Sequence, residues 1–227
     1  FGPADHREVT DRWQYYAVSL EFWRKYSDQD PRKQFFYYDY EGAAARDEST
    51  DHGFFYMMPA PGQTSPPNDT TKLLVNVSTM KYSYEMTEQS YYDGRTIPIL
   101  RLEDIILCKA EIENELSGPS AALPFLNEIR ARAGAPEYGK AAGFPAPASK
   151  EEMAQKILDE RGFELVFEYK RRPDLIRFGK YESTCNDYLV SRGLAPSVKS
   201  NMKLLPYPLI DAQQNTFMAA ENLNRLP

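Results

Sequence analysis

The segment ILDERGFELVFEYKRRPDLIRFGKY, residues 157–181, spaces three glutamates four residues apart: Glu160, Glu164 and Glu168. Paired carboxyl groups are what glycoside hydrolysis requires. One donates a proton and the other acts as nucleophile or base, at about 5–5.5 Å for retention and about 6.5–9.5 Å for inversion. Helical i, i+4 side chains can reach such separations, so spacing alone permits the chemistry. Two acids on one turn of one helix, however, do not flank a scissile bond from opposite sides. Like charges at that spacing also repel by roughly 0.2–0.5 kcal/mol per pair, so something must compensate. Arg161 stands three residues before Glu164, and Arg171 three after Glu168; Arg130, Arg132 and Arg101 are candidates from the preceding helices. A guanidinium partner keeps a carboxylate ionised and removes the raised-pKa proton donor that hydrolysis needs. Bidentate arginine–carboxylate pairs locking neighbouring helices are therefore the expectation, and catalysis is not.

Other chemistries find less support. His6 and His52 are isolated and lack metal-ligand spacing, so no metal site is expected. Asp28-x-Asp30 opens like a calcium loop, but Pro31 follows and no glycine stands at the sixth position, so a solvated turn is expected. No nucleophile elbow, phosphate loop or dinucleotide fingerprint is present, and no cofactor is expected. The net charge of −6 argues against nucleic-acid binding, which needs a basic patch. No apolar run approaches the ~18 residues of a membrane-spanning helix. Two cysteines, Cys108 and Cys185, are too few for a disulfide framework, and Cys108 reads as a buried free thiol.

The elements that would position the glutamates lie in the second half of the chain. Residues 1–98 hold 19 of the 30 aromatics and both tryptophans, and read as a loop-rich aromatic region. Within it, DRWQYYAVSLEFWRKY predicts a short helix from about Asp11 to Tyr26, and KLLVNVSTMKYSYEM at most a short strand pair. Residues 99–178 read as helical and 179–227 as a loop with a short closing helix, all within one domain. Pro98 suits the start of the first helix of this region. Its stripes Ile99, Leu102, Ile106, Ala110 and Ile105, Cys108, Ile112, Leu116 predict burial on two faces. Ala122, Phe125, Leu126, Ile129 and Ala133 then mark an amphipathic helix that Gly134 and Pro136 stop. The pair forms an αα-hairpin of tetratricopeptide-like kind. A third helix opens at Ser149, with Glu152 completing a capping box, and is expected to run to about Lys170, breaking at Pro173. It would carry the three acids on one face and Ile157, Leu158, Leu165, Val166 and Tyr169 on the other.

The order of these signals resembles the SusD/RagB family. RLEDIILCKAEIENE carries Arg101, Asp104, Ala110 and Glu111. ALPFLNEIRARAG carries Leu126, Asn127, Arg130, Arg132, Ala133 and Gly134. ERGFELVFEYKRRPDLIRFG carries Glu160, Arg161, Glu164, Leu165, Phe167, Glu168, Arg171, Asp174, Leu175 and Arg177. Upstream, Asp30-Pro31-Arg32 and Lys81-Tyr82 match two further landmarks, and LLPYPLIDAQQNTFMAAEN resembles the closing segment. Departures are Gly162 for an arginine, Tyr169 for the usual glycine and Pro173 for an aromatic.

The resemblance covers the C-terminal part of a typical member. It implies a mainly α fold, SusD-like and tetratricopeptide-like, with long irregular aromatic-rich loops. It further implies a non-catalytic lipoprotein on the outer-membrane surface that binds oligosaccharides and delivers them to a SusC-like TonB-dependent transporter. The lipid anchor is expected outside this chain. Alternatives are the same fold binding peptides, a plain helical interaction module and, last, a glycoside hydrolase. Sugar sites combine aromatic platforms with polar groups that fix orientation, so Trp13, Tyr15, Phe54, Phe55 and Tyr56 are the expected ligand contacts. Glu160, Arg161, Glu164, Glu168, Arg171, Asp174, Arg177, Arg130 and Arg132 are the expected structural ion pairs.

Overall fold

Helix α2 spans Leu102–Ser117, α3 Pro119–Ala133 and α4 Lys150–Glu164, in a computed structural model that describes residues 18–37, 76–79, 81, 98–191 and 193–223. Ahead of them come β1 (Val18–Ser19), α1 (Leu20–Trp23), a 3-10 turn (Pro31–Phe35), β2 (Phe36–Tyr37) and β3 (Asn76–Thr79). After them come α5 (Arg171–Arg177), α6 (Tyr181–Ser191), a second 3-10 turn (Ser200–Lys203), α7 (Leu209–Gln214) and α8 (Thr216–Leu223). The described elements are mainly helical, as the sequence reading holds. The chain divides into two compact units between Glu168 and Tyr169.

In the first unit, α2 and α3 form an αα-hairpin, and α4 packs against both. Gly118, at φ 90°, makes the turn, and Pro119 follows at the first helical position, where a missing N–H costs nothing. Helix α3 ends in a Schellman motif: Gly134 is left-handed at φ 72°, and Ala135 N–H donates to the Arg130 carbonyl at 2.8 Å. Ser149 caps α4 by accepting from Glu152 N–H at 3.1 Å, and the Glu152 carboxylate accepts in return from Ala148 N–H. The core between the three helices holds Leu107, Ala110, Ala122, Leu126, Ile129, Met153, Ile157 and Leu158. A smaller cluster of Val18, Tyr26 and Phe163, backed by Phe22, Trp23, Val166 and Phe167, joins the early segment to the end of α4. The Tyr26 hydroxyl donates to the Phe163 carbonyl at 3.0 Å, and burial raises the phenol's pKa.

Several expectations change. Among the described residues the early helix is Leu20–Trp23, because Val18 and Ser19 pair with Val77 and Asn76 as a strand; residues 11–17 of the expected helix lie outside the described residues. The Ser19 hydroxyl then accepts from Phe22 N–H and starts the turn afresh. β3 lies between β1 and β2 in a three-stranded antiparallel sheet, where a strand pair was expected. Helix α2 starts at Leu102, not beside Pro98, with Arg101 extended at its N-cap. Its buried positions are Asp104, Leu107, Ala110 and Asn114, while Ile99, Leu102, Ile105, Ile112 and Leu116 are exposed, so of the expected double apolar stripe only Ala110 is buried, with Ile106 and Cys108 half-buried. Helix α4 ends at Glu164, not near Lys170. Phe167 and Tyr169 adopt left-handed φ of 62° and 60°, so Glu168 stands past the helix and Tyr169 is exposed instead of anchoring it.

In the second unit, α5 ends at a left-handed Gly179, and Arg172 donates to the Met202 and Lys203 carbonyls while lying over the Tyr181 ring. Asp174 accepts from Arg177 at 3.0 Å. Helices α7 and α8 pack against each other.

The glycines and their replacements predict stability changes of opposite sign. A Cβ at position 134 would sit 3.3 Å from Pro31 Cγ on a left-handed backbone, so Gly134→Ala is expected to cost about 1 kcal/mol or more. Tyr169→Gly relieves a left-handed tyrosine and is expected to stabilise by about 1 kcal/mol. Chemical denaturation checks both; a loss of stability in Tyr169→Gly would remove the strain argument.

Candidate functional site

The three glutamates gather at the C-terminal end of α4. There the early segment, residue 81, the start of α2 and the end of α3 all deliver cations. Arg32 enters first. Asp30 orients it, accepting from Arg32 N–H and Nε at 3.0 Å each and from Nη2 at 2.7 Å. Its Nη1 then lies 2.7 Å from Glu160 Oε1, a charge contact, and donates to Glu164 Oε2 at 3.0 Å. Burial alone would lower the Arg32 pKa, but Glu160 and Asp30 raise it above the ordinary arginine value.

Arg130 reaches the same cluster from α3. Its guanidinium, 2% exposed, donates to Glu160 Oε2 at 2.7 Å and to the Pro136 carbonyl at 2.6 Å. Its Cζ lies near the rings of Tyr138 and Phe144, at 4.4 and 5.5 Å from their centroids. Such cation–π contacts hold a desolvated guanidinium flat. Asn127 fixes the loop that carries these rings, accepting from Tyr138 N–H and donating to its carbonyl, both at 2.9 Å.

Arg101 and Lys81 close the far side. Arg101 contacts Glu164 Oε1 at 2.7 Å and Glu168 Oε2 at 2.8 Å, and donates to the Glu164 carbonyl at 2.6 Å. It also pairs with Glu103 at 2.8 Å, which helps hold the Glu103 carboxyl below its ordinary pKa although burial opposes this. Lys81 donates to Glu168 Oε1, to the Glu164 carbonyl at 2.6 Å and to the Val166 carbonyl at 3.2 Å. Burial nonetheless lowers the Lys81 pKa. Two cations thus meet carbonyls that α4 leaves without an intrahelical partner, at the negative end of its dipole. Arg132, half-exposed, donates to Glu164 Oε1 at 2.6 Å.

Every carboxylate oxygen of Glu160, Glu164 and Glu168 therefore faces a cation. Arg161 does not neutralise Glu164 locally, as its i+3 spacing suggested. It crosses instead to Asp104 on α2 at 2.7 Å, with Cys108 Sγ at 3.5 Å. Arg130, Arg132, Glu160 and Glu164 come together in the cluster with Glu168; Asp174 and Arg177 pair in the second unit, where Arg171 opens α5. Arg32, Lys81, Asp30 and Glu103 are members that helical spacing could not supply. Arg32 and Lys81 had a sequence signal as family landmarks without an assigned role. Trp13, Tyr15, Phe54, Phe55 and Tyr56 lie outside the described residues, as do His6 and His52. Cys108 and Cys185 are free thiols; Cys108 is half-buried, and burial raises the Cys185 pKa.

Replacing Glu164 by alanine takes a buried partner from Arg32 and from Arg101, which keep Asp30 and Glu160, and Glu168 and Glu103, respectively, and is expected to cost about 2–3 kcal/mol, the range for hydrogen bonds to charged groups. Arg132→Ala removes a half-exposed partner and is expected to cost about 1 kcal/mol or less. Urea denaturation distinguishes the two; equal, small losses would mean that the buried cluster contributes no more than a surface pair.

The profile of the SusD family matches residues 8–219. SusD-like protein P25 of Formosa agariphila is 37% identical over 120 residues, covering 52% of this chain and 22% of that protein. SusD-like protein P2 of the same organism is 30% identical over 131 residues, covering 54% of this chain and 25% of that protein. The crystal structure of a SusD superfamily protein from Bacteroides vulgatus superposes with a TM-score of 0.56 at 19% identity, over 92% of this chain and 46% of that one. The chain thus spans less than half of the solved relative and matches about a quarter of each curated one. On the family match across nearly its whole length, and on the helical fold it shares with the solved relative, the chain belongs to the SusD family.

Proposed function

We infer that this chain is the C-terminal part of a non-catalytic, surface-exposed outer-membrane protein that binds glycans and passes them to a SusC-like TonB-dependent transporter. The family match supports a role in carbohydrate binding and nutrient uptake. The observation that carries the non-catalytic half is the occupation of all six carboxylate oxygens by Arg32, Arg101, Arg130, Arg132 and Lys81. A hydrolase needs one carboxyl free to hold a proton and another free to attack. In this reading Glu160, Glu164 and Glu168 tie the ends of the helices together, and recognition falls to aromatic side chains elsewhere in the chain.

Trp13, Tyr15, Phe54, Phe55 and Tyr56 are the proposed contacts. An aromatic ring offers a flat apolar face to the C–H face of a sugar at little entropic cost, and neighbouring polar groups set its orientation. Loops on a rigid scaffold are where such specificity is usually placed. No cofactor or metal enters the proposal. No helix among the described residues is long and apolar enough to cross a membrane; the proposed anchor is a lipid on the longer polypeptide.

Affinity electrophoresis of the full-length protein through a panel of polysaccharides tests the reading. Retardation by at least one glycan is expected, weakened by Trp13→Ala or Phe55→Ala, with no reducing ends released. Retention on no polysaccharide, together with peptide binding by calorimetry, would replace glycan by peptide. Release of reducing ends that Glu164→Gln abolishes without unfolding the protein would overturn the non-catalytic assignment.

A further inference from the structure

We propose that the second unit carries a subsite for acidic sugars, taking the carboxylate or sulfate of a saccharide between α5, α6 and the second 3-10 turn. Residues 170–203 hold eight Lys and Arg against three Asp and Glu, whereas the whole chain holds 27 against 33. Of those three acids, Asp174 is buried and paired with Arg177. The other two, Glu182 and Asp187, stand one and six residues after Tyr181, off its face of α6. The basic excess is therefore not cancelled within the stretch. A patch of one sign raises the local concentration of oppositely charged ligands, even on a chain whose net charge has the other sign.

Arg172 centres the subsite. Its Nη2 donates to the Met202 and Lys203 carbonyls at 3.3 and 2.9 Å, and its Cζ lies 5.3 Å from the centroid of the Tyr181 ring. Both bonds leave from one nitrogen. Nε and Nη1, which carry three of the five guanidinium N–H donors, have no partner among the described residues. The side chain is half-buried and already held, so it can offer those donors at little further loss of freedom. The same bonds bring the backbone of Lys203 beside it. Lys199 opens that 3-10 turn, its carbonyl accepting from Met202 N–H at 3.1 Å. Asn186 of α6 fixes the approach to the turn, accepting from Val198 N–H and donating to the Val198 carbonyl, both at 2.9 Å. Lys180 directly precedes Tyr181. None of Lys180, Lys199 and Lys203 forms an ion pair among the described residues. An anionic oxygen here takes charge-assisted hydrogen bonds from Arg172, roughly twice as strong as neutral ones, with the lysines adding charge around it. The anion is read from this cluster; that a saccharide carries it rests on the glycan reading above.

Affinity electrophoresis of the full-length polypeptide in matched polymers tests this: polygalacturonate against its methyl ester, and dextran sulfate against dextran. Retardation by at least one charged polymer is expected to exceed that by its neutral counterpart severalfold, and to fall as added salt screens the charges. Which charged polymer retards the protein tells carboxylate from sulfate. Lys199→Gln combined with Lys203→Gln is expected to reduce that retardation severalfold at an unchanged melting temperature. A preference that persists undiminished in the folded double variant would overturn the assignment to this cluster. Equal retardation by charged and neutral polymers, or by neutral ones alone, would overturn the acidic-sugar subsite and leave the glycan reading standing. Retardation by no polysaccharide at all would end both. A DNA oligonucleotide bound as tightly as the charged polymers would also overturn the proposal, since the patch would then answer to phosphate charge alone. The comparison of charged with neutral polymers needs no variant, so it decides even if the double variant does not fold.

Discussion

Burying a carboxylate without a partner is prohibitively expensive, and this constraint organises the first unit around the end of α4. Glu160, Glu164 and Glu168 are all almost fully buried. Each such ion loses several kcal/mol of hydration, recovered only where well-placed cations and hydrogen bonds replace the water. The replacements come from far along the chain. Arg32 lies 132 residues from Glu164, Lys81 87 from Glu168 and Arg101 67 from Glu168. The chain cannot leave any of these segments in another place without stranding charge. The cluster therefore acts mainly on arrangement: it states which segments must meet, while the aliphatic core between α2, α3 and α4 supplies most of the burial.

How much of this could be read beforehand differs by type of signal. Local chemistry was legible. The Ser149–Glu152 capping box, the Gly134 stop and the α2–α3 hairpin depend on residues within a few positions, and they occur where the sequence placed them. Helix ends set by tertiary contact were not. Nothing between Glu164 and Tyr169 is a glycine or proline, yet α4 ends because Lys81 and Arg101 claim its last carbonyls and two aromatics take left-handed backbones. Pro173, the visible breaker, is nine residues too late.

The exposure of α2 shows the limit of reading apolar periodicity as burial. Its most hydrophobic stripe faces outward, and its inner face buries Asp104 and Asn114, which serve Arg161 and the start of α4. Periodicity identifies a face that needs a partner; it does not say where that partner lies. The glutamate partners show a complementary limit. Spacing offered Arg161, which instead turned to Asp104, whereas Arg32 and Lys81 stood out only through family landmarks. For the residues proposed to hold a ligand, aromatic content names candidates but no geometry, because those residues lie outside the described part of the fold.

A structural role for the acids makes their energies interdependent, which a double-mutant cycle measures directly. The cycle combines Arg32→Ala with Glu164→Ala and reads unfolding free energy by urea titration. The account predicts strong non-additivity, with a coupling of about 1–3 kcal/mol, as expected for buried charges in one network. Additive losses within about 0.5 kcal/mol would show that the two residues stabilise the fold independently, and would contradict the claim that their contact holds the early segment to α4.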